Sequence, residues 1–374
     1  MNIRSGCALA LVLAATGLHA DRVVGQKPGL RLPLPRGASI VTTLKMLNAD
    51  RESVHTIEES TPRGIRWSWR LVEIHANSDT ISQVFRYSEL EADLNEGSRL
   101  WFFHSTRDSG AHPGYTMHAI SRSLYRKLRA AGSDSFQVML LEAPKEFAGI
   151  PTFIAGESSV PVRWKGMLTD GKSNTQPFPL LLNGRRIEVP ALRLHGRFSA
   201  RNKIWEPEIW VLADSTYPLI LKVLRAYEGT DNVLQTVRVD DEMATATAAA
   251  VEHGLASSCR VELPGIYFAF NSAVLDSASD RTLTSVADVL KRHADWRVTL
   301  EGHTDSIGTV SANKVLSERR VAAVKERLTD RYGIDAANIR TAGFGSARPR
   351  EPNGTIEGRA RNRRVELVRA CGAQ

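Results

Sequence analysis

Val298-Thr299-Leu300-Glu301-Gly302-His303-Thr304-Asp305 leads through Gly308 into Asn313-Lys314-Val315-Leu316-Ser317-Glu318-Arg319-Arg320. Val298 and Leu300 mark a strand that ends in the Gly-His-Thr-Asp run. A helix is expected from about Ala312 to Arg331, stopped by Gly333. On a helical wheel its apolar arc holds Leu316, Val321, Ala323, Val324 and Leu328, but Asn313 and Arg320 fall inside the same arc. A guanidinium on an apolar face costs several kcal/mol unless something pairs with it. Arg327 also lies in the arc, near the helix end, where a long side chain can reach water and needs no role.

A break of this kind marks an internal ion pair or a binding site. Asp305 is the natural partner, because it lies past a strand end between Gly302 and Gly308, where the backbone can turn tightly. Asp305 and Arg320 can pair with each other. They can also hold a zwitterion, the carboxylate taking its ammonium and the guanidinium its carboxylate. Spacing alone leaves both open.

Outward from this stretch, Cys259–Phe270 reads as a strand. Ser277 or Ser279 caps a helix with Leu283, Val286, Ala287 and Leu290 on its apolar face. Short strands are expected near Ile339–Gly343 and Arg364–Val368. The order is β-α-β-α-β-β, two helices on one mixed sheet. Residues 259–374 carry 19 basic and 14 acidic side chains, the basic ones mostly Arg, which suits carboxylate or phosphate partners.

The whole chain has 374 residues, 42% hydrophobic, 24% charged and a net charge of +8. That allows two or three domains and excludes a collagen, a long disordered chain and a multi-span helical membrane protein. Residues 1–20 read as a secretory signal, with Arg4 before a short apolar run at Ala8–Ala15 and Ala20 at the cut. Beyond them only Cys259 and Cys371 remain, and in an oxidising compartment they are expected to form a disulfide.

Residues 21–240 read as a β-rich domain, either a sandwich or a curved sheet. Ile65, Trp67, Trp69 and Leu71 alternate with polar residues, and Asn183-Gly184 joins two apolar runs as a tight hairpin. Trp205–Leu212 and Leu219–Leu224 are further strands, and one helix is expected at His118–Ala131. Residues 241–258 read as a linker or a capping helix. The first region shows no metal-ligand spacing, Gly-x-Ser-x-Gly elbow or P-loop. Its histidines, including His55 and His118, are scattered and read as surface or packing residues.

Phe268-Ala269-Phe270-Asn271-Ser272, Gly302-His303-Thr304-Asp305, Asn313 to Arg320, and Gly358-Arg359-Ala360-Arg361-Asn362-Arg363-Arg364-Val365-Glu366 together resemble the OmpA-like peptidoglycan-binding domain. The resemblance covers about residues 260–370. It implies a domain on the periplasmic side of the outer membrane that grips the cell wall non-covalently. It implies that Asp305 and Arg320 hold the amino acid end of diaminopimelate, with Asn313 lining the pocket and Thr304 and Leu316 shaping it. Arg363 and Arg364 are expected on opposite faces of the last strand, so that one reaches the ligand. Asn271 stands where the family usually has Asp, which replaces a charge contact by a neutral hydrogen bond.

The fold expected is therefore α+β, a β-rich domain followed by a two-layer wall-binding domain. The expected function is non-catalytic: the second domain tethers the first, or the outer membrane, to peptidoglycan, with outer-membrane lipids or proteins as further partners of residues 21–240. No cofactor, metal or nucleic acid enters this reading. One alternative is a porin-like barrel with a wall-binding tail, although Glu73, Lys165, Arg185, Arg186 and Lys222 interrupt the apolar alternation such a barrel needs. The other is a peptidoglycan-processing enzyme. It would need two free carboxylates, and an Arg beside Asp305 makes that acid a poor proton donor.

Overall fold

The computed structural model describes residues 32, 34–45, 50–74, 80–101, 110–142, 160–172, 175–226, 231–241, 247–269 and 271–371. The expected signal at 1–20 lies outside them. The first region comprises β1 (Ser39–Lys45), β2 (Asp50–Thr61), β3 (Gly64–Ile74), β4 (Thr80–Leu90), α1 (Glu91–Glu96), β5 (Arg99–Trp101), β6 (Gly110–Ala111), β7 (Tyr115–Thr116) and α2 (Arg122–Ala131). It continues with β8 (Asp134–Glu142), β9 (Val160–Thr169), β10 (Thr175–Leu182), β11 (Arg185–Ala200), β12 (Lys203–Trp205), β13 (Glu208–Leu212), β14 (Ile220–Leu224) and β15 (Val233–Asp240).

These described strands form one continuous sheet, not two stacked ones. β10 pairs antiparallel with β11 and, over two residues, parallel with β15, so β15, β14, β13, β11 and β10 close a hydrogen-bonded ring. Of the two expected shapes, the curved sheet is the one found. The Asn183-Gly184 hairpin is present, with φ of 52° and 71° at the two turn residues, the geometry that matches strand twist. Helix α2 starts later than expected, because the Ser121 side chain accepts from the Leu124 N–H and caps it there; Gly132, at φ 90°, ends it. Two buried apolar clusters pack on the sheet, one around Trp164, Phe198 and Trp205 and the other around Trp67, each with aliphatic neighbours. No described helix is long and apolar enough to cross a membrane.

The second region comprises α3 (Ala248–Ser257), β16 (Arg260–Glu262), α4 (Asp280–Arg292), β17 (Val298–His303), α5 (Val310–Glu326), β18 (Ile339–Gly345), α6 (Ile356–Asn362) and β19 (Val365–Arg369). Its sheet runs β16-β19-β17-β18, with β17 and β18 parallel and the other pairs antiparallel. Of the two readings of 241–258, linker or capping helix, the helix is found over Ala248–Ser257, capped by Thr247, and Val251 and Leu255 join the core of this domain. Several expectations need correction. The strand expected over Cys259–Phe270 stops at Glu262, because Pro264 and Gly265, at φ 80°, turn the chain away. A further helix, α6, separates the last two strands, with the Thr355 hydroxyl accepting from the Gly358 N–H at its start.

Gly302 also plays a different part from the one expected. It belongs to β17, and a methyl group there would lie 2.7 Å from the Ser317 carbonyl oxygen of α5. Its bare backbone lets the helix lie directly on the sheet. Ser317, fully buried, completes that contact by accepting from the Gly345 N–H at 2.9 Å. Gly308, at φ 90°, is the residue that turns the loop.

Cys259 and Cys371 form the expected disulfide, with Cα atoms 6.2 Å apart. The two domains pack on each other through Val41, Leu181 and Val237 from the first and Tyr267, Ile356 and Ala360 from the second. Polar contacts surround this patch. Tyr267 donates to Asp240, Arg281 donates to the Gly37 carbonyl at 2.9 Å, and Gln235 donates to Glu357 at 2.6 Å.

Candidate functional site

The loop after β17 and the start of α5 build one side of a pocket. Asp305 is buried, and its Oδ1 accepts from the Ile307 N–H at 2.9 Å. Asn313 donates to the Ile307 carbonyl at 2.9 Å, so it buttresses the loop that carries the acid. Thr304 fixes the strand end: its N–H donates to the Gly345 carbonyl and its hydroxyl to the Asp305 carbonyl, each at 2.9 Å.

No ion pair joins Asp305 to Arg320. Arg363 is the partner of Asp305, donating from Nη1 to Oδ2 at 2.5 Å. Arg320 is half-buried. Its Nε donates to the Ser272 carbonyl at 3.0 Å, and its guanidinium lies over the Phe268 ring, 4.9 Å from the centroid. Burial and the nearby Arg363 push the Arg320 guanidinium down to about 10, with Glu52 and Asp305 acting the other way.

Arg363 and Arg364 diverge, although neither lies within the last strand. Arg363 caps the end of α6 and turns toward Asp305, whereas Arg364 donates to Glu366 at 2.6 Å. Both line the small gap described below, but Arg363 is the one that reaches Asp305. Leu316 and the exposed Asn271 line a neighbouring groove with Arg319 and Ala323, apart from Asp305. Asn362 ties the preceding loop together, accepting from the N–H groups of Arg350 and Glu351 at 2.7 and 2.9 Å.

The pocket has a further wall that the sequence does not announce. Glu52 of β2 accepts from Arg363 Nη2 at 2.6 Å, and Asp50 accepts from Arg359 Nε at 2.6 Å. Burial works to raise the Glu52 carboxyl, but the guanidiniums of Arg363, Arg238 and Arg320 outweigh it and hold the carboxyl below its ordinary value. The Arg363 guanidinium is raised in turn; Glu52 and Asp305 prevail over its burial. A space of only about 30 Å³ remains among Glu52, Phe268, Arg320 and Arg363.

Two other clusters escape a reading by motif. Glu301, His303 and Glu366 bring ligand-type atoms within 4.8 Å of one another. Arg260 bridges the two carboxylates and Arg364 holds Glu366, so the negative charge is already met and a cation would have to displace a guanidinium. In the first domain, fully buried Glu89 accepts from Trp67 Nε1, Tyr217 Oη and the N–H groups of Met117 and His118 at 2.7–3.1 Å. Beside it the Tyr87 hydroxyl lies 2.8 Å from His55 Nδ1 and 2.6 Å from His118 Nε2. Thus these two histidines meet, with ring centroids 4.7 Å apart.

The fold and the site define a two-layer α+β domain whose loops converge on a pocket of fixed charges, carried by a larger curved-sheet domain. Residues 267–363 match the OmpA family, and this part of the chain is an OmpA-like domain. It is 40% identical over 112 residues to outer membrane porin F of Pseudomonas aeruginosa, a match covering 30% of this chain and 32% of that protein. It is 44% identical over 103 residues to the peptidoglycan-binding protein ArfA of Mycobacterium tuberculosis, covering 28% of this chain and 31% of that one. The chain spans about a third of the length of these relatives. A solved structure of the peptidoglycan-associated lipoprotein from Burkholderia pseudomallei is 29% identical, covering 28% of this chain and 87% of that chain, with a TM-score of 0.27.

Proposed function

We propose that this protein is a non-catalytic envelope tether whose OmpA-like domain binds the diaminopimelate-containing stem of peptidoglycan, on the periplasmic face of the outer membrane. The observation that carries the reading is the charge arrangement: two guanidiniums, Arg320 and Arg363, line one small gap, and Arg363 holds the loop carboxylate of Asp305. Such a set complements a ligand bearing an ammonium and carboxylates. The similarity to a peptidoglycan-binding protein supports the same ligand class. The first domain then holds its own partner, an outer-membrane lipid or protein, at the wall.

Both oxygens of Asp305 are engaged, one by the Ile307 N–H and the other by Arg363. That suits a residue that holds a ligand charge in place.

Co-sedimentation of the full chain with purified diaminopimelate-type wall tests the reading. Wild type should be retained, while Asp305→Ala and Arg320→Ala should be lost to the supernatant. Lysine-type wall should hold the wild type less well, because lysine lacks the second carboxylate. Retention of both variants at the wild-type level would refute the assignment.

A further inference from the structure

Alternation along β2 puts Asp50, Glu52, Val54 and Thr56 on one face of the sheet, while His55 and Ile57 turn toward its core. The first face lies against the OmpA-like domain. There Glu52 stands among three guanidiniums, bonded to Arg363 and attracted by Arg238 and Arg320. Asp50, beside it, is bonded to Arg359 and lies 3.7 Å from Arg363. The side chains of Asp50 and Arg359 are only 2% and 8% exposed, so this contact is sealed from water.

We propose that β2 is an internal ligand of the pocket: the Glu52 carboxylate occupies the position a cell-wall carboxylate would take, so that domain packing and wall binding exclude each other. This rests on the wall-binding reading above. With Glu52 in place the space left among these side chains is narrow, about 30 Å³. The exchange is ion for ion, because a ligand carboxylate replaces Glu52 at Arg363 and the guanidinium is never left unpaired. The rest of the interface suits reversible opening. Its shared apolar cluster is small, with only six buried side chains, and most of its other contacts are hydrogen bonds and ion pairs that water can replace.

The test uses the full chain and purified diaminopimelate-type peptidoglycan. Glu52→Gln keeps the shape of the side chain and leaves the Asp50–Arg359 pair intact, so the domains still fold around it. It should bind the wall roughly tenfold more tightly than wild type, the scale of one charge-assisted hydrogen bond. Asp50→Asn with Glu52→Gln should bind at least as tightly, and Asp305→Ala should abolish the gain. Equal binding by wild type and Glu52→Gln, with both lost on Asp305→Ala, would overturn the internal ligand and leave the wall reading standing. Binding by none of these chains would overturn both. A second measurement needs no variant: small-angle scattering of wild type with a saturating soluble diaminopimelate muropeptide should show an increased radius of gyration. Saturation with no change in radius would also overturn the proposal.

Discussion

Glu52 and Arg363 lie 311 positions apart along the chain and 2.6 Å apart in space. The second guanidinium nitrogen of the same arginine holds Asp305. One side chain thus links the acid expected at the binding site to an acid from a different domain. Any account of ligand entry has to begin with what Arg363 releases.

The contact between α5 and β17 yields a first prediction. A methyl group on Gly302 would meet the Ser317 carbonyl oxygen at 2.7 Å and Val321 at 2.8 Å. Backbone and a fully buried side chain cannot both retreat. Gly302→Ala should therefore destabilise the OmpA-like domain by about 1–3 kcal/mol. Urea unfolding followed at this domain would show it as a lower midpoint, and an unchanged midpoint would mean the helix is less firmly seated than the geometry requires.

His303 gives a pH dependence. The ring is buried, stacked on Phe344, and neither nitrogen has a hydrogen-bond partner among the described residues. Burial, reinforced by Arg364, lowers its pKa from 6.5 to about 4. Between those values the unfolded chain binds a proton that the folded chain refuses, so stability falls as pH drops through the window. The loss should reach up to about 3 kcal/mol by pH 4. His303→Phe should flatten that part of the profile, as measured by thermal unfolding in a pH series; an unaltered slope would assign the effect elsewhere.

Glu89 supplies a stability test in the first domain. Four donors converge on its carboxylate in a fully buried site. Glu89→Ala leaves all four unsatisfied and should cost about 3–5 kcal/mol. Glu89→Gln keeps an acceptor oxygen and should cost less. Urea unfolding of both variants beside wild type checks this, and an unchanged midpoint for Glu89→Ala would mean that the four bonds contribute little.

Much of the OmpA-like domain was legible because its signals are local. The Leu-Ser-x-x-Arg stretch announces itself as a charge on an apolar helical face, and the cysteines sit at the two ends of the domain. Ser317 was not foreseen as a core residue, because a hydroxyl reads as polar until the Gly345 N–H it serves is known. Helix α6 was missed because its first turn depends on a cap at Thr355, in a run dominated by arginines. The bond between Asp305 and Arg363 is hidden for the same reason: Arg363 reaches the acid only because α6 ends there. Nothing near Asp50 or Glu52 hints at guanidiniums some three hundred residues later. Likewise His55, Tyr87 and His118 meet only after β2 and β4 are brought together through β3. Alternation shows which face a side chain takes, and only the tertiary fold shows what stands opposite.

The Cys259–Cys371 bond has a mechanical consequence for a tether. Strands β16 and β19 lie side by side, and the bond joins the chain just before the first to the chain just after the second. A pull from a wall held at the pocket would leave the domain at Cys259 and be shared at once with Cys371. The edge strand β16 and its inner neighbour β19 would then take the strain together, and β16 could not be peeled away alone.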